Sequence, residues 1–334
     1  MSSGRILVTG GAGYIGSHTS WACLDAGHEV VVLDDLSTGV EACIPDQATF
    51  VKGSIEDRDL VAATLKKYQI SAILHFAGRI VVPESVENPI KYYKENTLHS
   101  FGLLATAINC GVGNFIFSST AAVYAPPEDG NMAGLKEDDL KEPLSPYGQS
   151  KLMTEHMIRD IGIAHGLNSV VLRYFNVAGA DPQGRTGQST PNATHLIKVA
   201  SQTALGQRDK MALYGDDYPT PDGTCIRDYI HVTDLASAHV HALEKLLAKG
   251  GQYTMNCGYG RGASVFDVVK AVEGVTGASL PVEIVGRRAG DAPCLISNNK
   301  RILETLPWKP QHDSLEEMVS SALAWERTLA ANAA

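Results

Sequence analysis

The 334-residue sequence predicts an α/β fold, a Rossmann-type doubly wound parallel sheet with a smaller, loop-rich α/β substrate-binding region. Three observations predict it. Short β-branched runs alternate with longer helical patterns from residue 5 to about residue 175. A glycine cluster follows the first run directly, and beyond Asn176 the regularity gives way to a stretch rich in Gly, Pro, Asn and Asp. The runs place strands over 6–9, 29–33, 49–52, 72–76, 115–118 and 169–174, with helical patterns over 14–26, 57–68, 89–110 and 146–165 between them. Six strands joined by crossovers make the doubly wound sheet. Further helices are expected up to residue 207, over 267–277 and over 315–329. The chain thus divides into residues 1–175, a dinucleotide-binding part, and 176–334, mainly a substrate-binding part, some of whose later segments return to the first.

Composition bounds the function. Hydrophobic residues at 44% and charged residues at 19% exclude a fibre or a disordered hub. Lys+Arg 28 against Asp+Glu 37 leaves a net charge of -9 with no basic run, which argues against nucleic acid as a partner. Six cysteines (Cys23, Cys43, Cys110, Cys225, Cys257, Cys294) form no CxxC pair and no zinc-like spacing, so they are expected as buried thiols of a reducing compartment. No targeting segment and no run of about 18 apolar residues is found, so a cytoplasmic protein without a membrane partner is expected. No metal site is expected either: His239 and His241 are two apart, which separates them on a helix, and His75 fits a packed strand position.

The first strand runs into Thr9-Gly10-Gly11-Ala12-Gly13-Tyr14-Ile15-Gly16 and then a helix. One glycine permits the turn, one lets the backbone approach a pyrophosphate, and Gly16 permits close helix packing. The helix N-terminus supplies unpaired N–H groups and partial positive charge to phosphates. Asp34 closes the second strand about 20 residues on, where a carboxylate accepts from the adenosine ribose hydroxyls and repels a 2′-phosphate, so NAD is favoured over NADP.

Ser145-Pro146-Tyr147-Gly148-Gln149-Ser150-Lys151 opens another helix. Tyr147 and Lys151, four apart, share one face. A tyrosine is a poor base near neutrality. The lysine ammonium and a positively charged nicotinamide are expected to favour the phenolate, and lowering its pKa by three units takes roughly 4 kcal/mol. Upstream, the fifth strand ends in Ser118-Ser119-Thr120, and Thr120 can hydrogen-bond the reacting oxygen.

With these motifs in place, the chain resembles the extended short-chain dehydrogenases/reductases, and within them the UDP-hexose 4-epimerases. The resemblance rests on residues 10–16, Leu33-Asp34-Asp35-Leu36, His75-Phe76-Ala77-Gly78, residues 118–124 and 145–151, Leu172-Arg173-Tyr174-Phe175-Asn176, residues 223–232 and Gly286-Arg287-Arg288-Ala289-Gly290-Asp291, in family order over nearly the whole chain. It implies Thr120, Tyr147 and Lys151 as the catalytic trio. It implies cofactor contacts at Gly10, Gly13, Tyr14, Ile15, Gly16, Asp34, Asp35, Leu36, Ser37, Ser54, Ile55, Phe76, Ala77, Gly78, Tyr147, Lys151 and Tyr174. It implies substrate contacts at Thr120, Tyr147, Asn176, His195, Leu196, Ala212, Tyr214, Arg227, Tyr229, Arg288, Asp291 and Leu295, with residues 212–214 beside the uracil. Two arginines suit a diphosphate, which they can bind bidentately. The chain departs from relatives at Ser54, where an acid often contacts adenine, at Glu95-Asn96 in place of Asn-Asn, and at Ile80, a lysine in some relatives.

Several relatives share the Tyr/Lys pair. Dehydratases carry Asp-Glu after the threonine and related decarboxylases a glutamate, whereas Ala121 and Ala122 stand here and leave elimination without a proton donor. What remains is reversible oxidation of a UDP-sugar at C4 through a 4-ketose, with tightly bound NAD regenerated each turnover. Leu295 is smaller than the tyrosine of narrow-specificity relatives, which implies tolerance for UDP-N-acetylhexosamines. A UDP-pentose or UDP-uronate 4-epimerase would use the same residues, and a non-catalytic NAD-binding regulator would not need the trio. Relatives also imply a homodimer through helices 89–110 and 146–165.

Overall fold

The computed structural model describes residues 4–127, 133–191, 193–288 and 291–333. Its strands are β1 Arg5–Thr9, β2 Val30–Asp34, β3 Thr49–Lys52, β4 Ile70–His75, β5 Asn114–Thr120, β6 Asn168–Tyr174, β7 Asn176–Ala178, β8 Met211–Tyr214, β9 Ile226–Arg227, β10 Tyr229–His231, β11 Gln252–Cys257, β12 Ala263–Ser264, β13 Val282–Val285 and β14 Cys294–Leu295. Its helices are α1 Tyr14–Asp25, α2 Arg58–Lys67, α3 Val82–Glu87, α4 Pro89–Tyr92, α5 His99–Asn109, α6 Pro146–His165, α7 Leu196–Ala204, α8 Val232–Lys249, α9 Val265–Thr276, α10 Lys300–Thr305 and α11 Leu315–Ala333.

Seven strands pair in the order β11-β6-β5-β4-β1-β2-β3, every neighbour parallel. The six expected strands are all present, and the doubly wound Rossmann-type sheet is the observed architecture. Alternation along each strand feeds two cores. Ile6, Val8, Val32, Leu74, Ile116 and Leu172 face one way and pack with Leu235, Leu243 and Leu246 of α8. Leu7, Val31, Ile73, Phe115 and Phe117 face the other way, against Val61 of α2, Leu103 and Leu104 of α5 and Ile158 of α6. Strands covered on both faces are apolar throughout, which is why they stand out as continuous runs.

Two features lie outside the strands and helices assigned from sequence. β11, from the later half of the chain, adds a seventh strand beside β6, and α8 covers one face of the sheet. The expected single helix over 89–110 is instead α4, a π-helical segment Tyr93–Leu98 and α5. The wider π turn carries Asn96, which is buried. Its Oδ1 accepts from the Arg79 N–H at 2.7 Å, and its Nδ2 donates to the Arg79 carbonyl and to Ser150 Oγ, each at 3.0 Å. The clamp is made by the Asn96 side chain, and π turns of this kind are common near functional sites.

The second region has its own core, in which Ile197, Val268, Val272, Val319 and Leu323 of α7, α9 and α11 pack on Met211 and Tyr229. Short pairings extend it: β7 with β10, β8 with β13, and β9 between β12 and β14. None of the six cysteines is in a disulfide. Among the described residues no helix is long and apolar enough to cross a membrane, and no group of three His, Cys, Asp or Glu could hold a metal ion.

Candidate active site

In a parallel sheet every strand presents its carboxyl end at one edge, and at this edge the candidate residues gather. β1 ends at Thr9, β2 at Asp34, β4 at His75, β5 at Thr120 and β6 at Tyr174. After Thr9 the chain turns through Gly10 at φ +71 into α1. A Cβ on Gly16 would lie 2.2 Å from the Gly10 carbonyl oxygen, so only glycine lets the helix start against the turn. Gly13, the N-cap, offers α1 no side-chain cap, and the first turn holds no acid. Its N–H groups have no partner inside the helix and face an uncompensated positive dipole end. The Asp34 carboxylate is buried beside this turn and accepts from the N–H groups of Ala12 at 3.0 Å and Leu36 at 2.8 Å. Burial raises its pKa against those two donors. Leu36 holds a left-handed φ of 60 to make its bond, backbone strain of the kind ligand clamps retain. The uncapped helix end, the glycine cradle and the ribose-ready acid fit a dinucleotide diphosphate.

The other expected cofactor residues fall around this cradle in different ways. Asp35 is exposed and accepts from the Ser37 N–H at 2.8 Å. Ser54 caps Glu56, and Ile55 is buried. Phe76 and Ala77 follow β4, both donating backbone N–H to the Thr9 carbonyl, and the Phe76 ring packs on His239 at 4.9 Å. The Tyr14 side chain turns away from the cradle: its hydroxyl donates to the Gly179 carbonyl at 2.6 Å and fastens α1 to the segment after β7. What Tyr14 and Ile15 offer a ligand is their backbone.

Tyr147 and Lys151 lie on α6, which is capped by Ser145 accepting from Gly148 N–H at 3.2 Å, with Pro146 in its first turn and Gly166 at φ +72 closing it. A Cβ on Gly148 would stand 2.2 Å from the Ala122 carbonyl, so glycine lets the first turn of α6 press onto the segment that follows β5. There the Thr120 hydroxyl hydrogen-bonds the partly buried Tyr147 phenol. Lys151 is buried, donates from Nζ to the Ser118 carbonyl at 3.0 Å, and lies 4.9 Å above the Phe117 ring. Burial lowers its pKa to about 8, against the opposing pull of Glu155.

One expectation is corrected. The Tyr147 phenol is not lowered by Lys151: burial raises it, and only the Thr120 hydrogen bond pulls the other way. The lysine charge is spent on a carbonyl of β5, so within the chain alone Tyr147 is a neutral proton donor. Tyr174, raised by burial and by Tyr147, bonds the Ser118 hydroxyl.

On the opposite side, β9 and β14 pair with Arg227 in register with Leu295. Arg227 Nη2 lies 3.6 Å from Asp291, and Arg288 makes two bonds to the same carboxylate at 3.0 and 3.1 Å. The Arg288 guanidinium stacks 5.1 Å over the exposed Tyr214 at the end of β8, on which Ala212 also lies. Asn176 begins β7, and its N–H donates to the Asp228 carbonyl. His195 and Leu196 open α7, with the His195 ring 6.2 Å from Tyr14 and its pKa lowered to about 4 by burial and then Lys198. Leu295 packs on the small cluster of Ala121, Val123 and Tyr124 that continues β5. Tyr229 is the exception, because it is buried in the α7, α9, α11 core. Ala289 and Gly290 of the arginine motif lie outside the described residues.

Sequence reasoning missed Glu155, Arg173, Ser119 and Asn96, which brace the site. The signal for Glu155 was available, since Tyr147, Lys151 and Glu155 recur at spacings of four on one helix face.

A dinucleotide cradle and a Thr/Tyr/Lys cluster at one sheet edge, with an arginine pair on β9 and the segment before β14, define the class: a Rossmann-type nucleotide-dependent enzyme. Comparisons sharpen this. The NAD dependent epimerase/dehydratase family matches residues 6–258. A UDP-glucose 4-epimerase of Azospirillum brasilense is 55% identical over 98% of this chain and 93% of its own. A UDP-glucose 4-epimerase from Brucella ovis, solved in complex with NAD, superimposes with a TM-score of 0.92 at 42% identity, covering 96% of this chain and 98% of that one. The UDP-Glc/GlcNAc 4-epimerase of Campylobacter jejuni does so at 0.84 and 44% identity, covering 97% and 99%. The chain belongs to the NAD dependent epimerase/dehydratase family.

Proposed function

We propose that this is an NAD-dependent enzyme that reversibly inverts C4 of UDP-hexoses, interconverting UDP-glucose and UDP-galactose through a transient 4-ketose. The observation that carries the reading is the hydrogen-bonded Thr120–Tyr147 pair beside buried Lys151, on a strand end continued by Ala121 and Ala122. With no carboxylate there, the site is equipped to move a proton on and off one hydroxyl and not to expel water. The names of the similar proteins agree.

The α1 N-terminus and residues 10–16 hold the NAD pyrophosphate, Asp34 holds the adenosine ribose, and Lys151 and Tyr174 border the nicotinamide end. When bound, NAD supplies the acceptor and donor of the C4 hydride. Tyr147 removes the 4-hydroxyl proton as the ketone forms and returns it when the other face is reduced, while Thr120 fixes the oxygen. The Thr120 hydrogen bond opposes the burial that raises the phenol, and the positive charge of an oxidised nicotinamide would act in the same direction. Arg227 and Arg288 exchange part of their Asp291 pairing for the UDP diphosphate, and Tyr214 offers its ring to the base. On this reading the dinucleotide work belongs to residues 1–175 and the sugar work mainly to 176–334.

Leu295 favours a wider substrate range. It presents a small apolar wall beside Ala121, and the Campylobacter jejuni neighbour bears a name that includes the acetylated sugar. Leu295→Tyr is expected to cut turnover of UDP-N-acetylgalactosamine about tenfold relative to UDP-galactose, since a filled pocket of this size is worth about 1–3 kcal/mol.

A homodimer is the reading that fits the exposed apolar residues Leu98 at the start of α5, Phe101 on α5 and Met153 on α6, adjoining helices that leave these side chains uncovered. Six thiols outside any disulfide fit a cytoplasmic setting. The decisive test incubates the protein as purified with UDP-galactose and no added NAD. UDP-glucose is expected at equilibrium and NAD in the supernatant after denaturation, and no product with NAD bound would end the proposal.

A further inference from the structure

On the face of α6 that carries Tyr147 and Lys151, one turn further on, lies a buried polar network that proton transfer at Tyr147 does not itself use. Glu155, one turn beyond Lys151, is buried with its carboxylate toward the β5–β6 edge. It accepts from Ser119 Oγ at 2.5 Å, from Arg173 Nε at 3.0 and 3.2 Å and from Arg173 Nη2 at 2.5 Å. Arg173 in turn donates from Nη1 to Tyr124 Oη and the Glu137 carbonyl, both at 3.0 Å. Tyr124 donates onward to Asn256 Oδ1 on β11 at 2.6 Å.

The placement of these partners matters. Ser119 and Arg173 are in register across β5 and β6, and the next register pair is Thr120 and Tyr174. Ser119 lies between Ser118, whose carbonyl holds Lys151, and Thr120, whose hydroxyl holds Tyr147. Glu155 therefore grips the strand residue between the two contact points of the catalytic helix. It also stands four residues from Lys151 on the same face, in surroundings dry enough for its charge to act on the ammonium.

We propose that Glu155, locked by Arg173 and Ser119, is a positioning residue for the epimerase reaction: it sets the seat of α6 on β5 and keeps Lys151 in its cationic form. The proposal rests on the function proposed above. The groups around Lys151 assign the balance of charge. On α6 these are Tyr147 and Glu155. From β4 comes His75, held neutral by burial and by Lys151, with its pKa near 3. From β6 come Arg173 and Tyr174, from β5 the Ser118 carbonyl and the Phe117 ring, and next to Gly78 the Arg79–Glu95 ion pair. The Glu155 carboxylate is the nearest anion on the same helix, and it is the group that opposes the burial of Lys151.

Glu155→Gln keeps the side chain's size and part of its hydrogen bonding but removes the charge. Lys151 then loses its proton at lower pH. The alkaline limb of kcat for UDP-galactose is expected to move acidward by about one unit or more, a loss about tenfold larger at pH 8.5 than at pH 6.5. Glu155→Asp retains the charge and is expected to hold the limb near its wild-type position even where kcat falls. If the glutamine variant does not fold, Arg173→Gln, which leaves the carboxylate without its counter-ion, is expected to move the limb the opposite way. Thermal melting and bound NAD are measured on each variant before assay. A uniform loss across pH with an unmoved limb overturns the proposal and leaves a purely structural network. Failure of the wild type to interconvert the UDP-hexoses, by contrast, overturns the function and not the network.

Discussion

The chain holds two proposed diphosphate sites, and it builds them from different materials. The dinucleotide side uses backbone: an uncapped helix end, a turn at Gly10 and a helix start that only Gly16 permits, all within residues 10–16. The sugar side uses side chains: Arg227 from β9 and Arg288 and Asp291 from the segment before β14, more than sixty residues away in sequence. A net charge of -9 is compatible with both because each site is local. The difference separates permanence from exchange. Backbone dipoles are fixed and carry no competing counter-ion, which suits a cofactor that stays bound. Arginines already paired with an acid can be partly released and re-formed at each turnover, which suits a substrate that leaves.

The sharpest cut lies between the two sites. Tyr147→Phe removes the proton carrier but touches neither cradle nor arginines, so interconversion is expected to fall about a thousandfold or more while NAD retention and UDP binding persist. Steady-state turnover together with nucleotide release on denaturation checks both halves. Retained turnover would show that the Thr120–Tyr147 pair is not the reacting group.

Next in size is Gly16→Ala, aimed at the backbone side alone. A methyl group 2.2 Å from the Gly10 carbonyl must displace either the turn or the helix. Overpacking of this kind costs about 1–3 kcal/mol, and the N–H groups it moves are the ones proposed to hold the pyrophosphate. The purified variant is expected to carry less than about a tenth of the wild-type NAD, measured by absorbance after denaturation. On the side-chain half, Arg227→Ala is expected to raise KM for UDP-galactose about ten- to a hundredfold with NAD content unchanged. Arg288, with a side chain 48% exposed against 12% for Arg227, should cost less, about threefold, and its effect should shrink with added salt. Equal losses for the two arginines would contradict the burial argument.

The same contrast governs what the sequence could reveal. Backbone sites are contiguous, so the glycine cluster, Asp34 and the Tyr147/Lys151 helix were legible from spacing, and the strand ends located them at one edge. Side-chain sites assembled across strands were not. The expectation for Arg227, Arg288 and Leu295 came from family resemblance, because their meeting at β9 and β14 depends on a pairing no local pattern encodes. β11 escaped notice because 252–257 is a short run between the glycines that close α8 and those at 258–262, with Gln, Thr and Asn in it, and it is ordered by pairing with β6. The π segment at 93–98 was hidden because the contacts that go with it, Asn96 reaching Arg79 and Ser150, are distant in sequence. The expected action of Lys151 on the Tyr147 phenol differs for a related reason: helix spacing put Lys151 on the right face but could not foresee that its ammonium would turn to the Ser118 carbonyl.

The smallest effect on bound cofactor is expected from pH, which tests whether the backbone site is as indifferent to titration as its chemistry implies. Burial is the leading cause that lowers His18, His195 and His239 to about 4, and His75 and His231 to about 3, from an ordinary 6.5. These are bases with depressed folded values, so the unfolded chain binds more protons between roughly pH 6.5 and 4, and stability present above 6.5 is lost as the pH falls through that window. Each contributes up to about 1.4 kcal/mol per pH unit there, offset in part by Asp34 and Asp228, which burial raises and which therefore favour the folded state on acidification. The Tm is expected to drop steadily from pH 7 to pH 5, and His239→Leu, which replaces a ring whose Nε2 has no partner, should flatten the slope by about one proton's share. The N–H groups of α1 do not titrate, so bound NAD should persist down to the pH at which the chain itself melts. Release of NAD from a still-folded protein would mean that Asp34, and not the helix end, holds the cofactor.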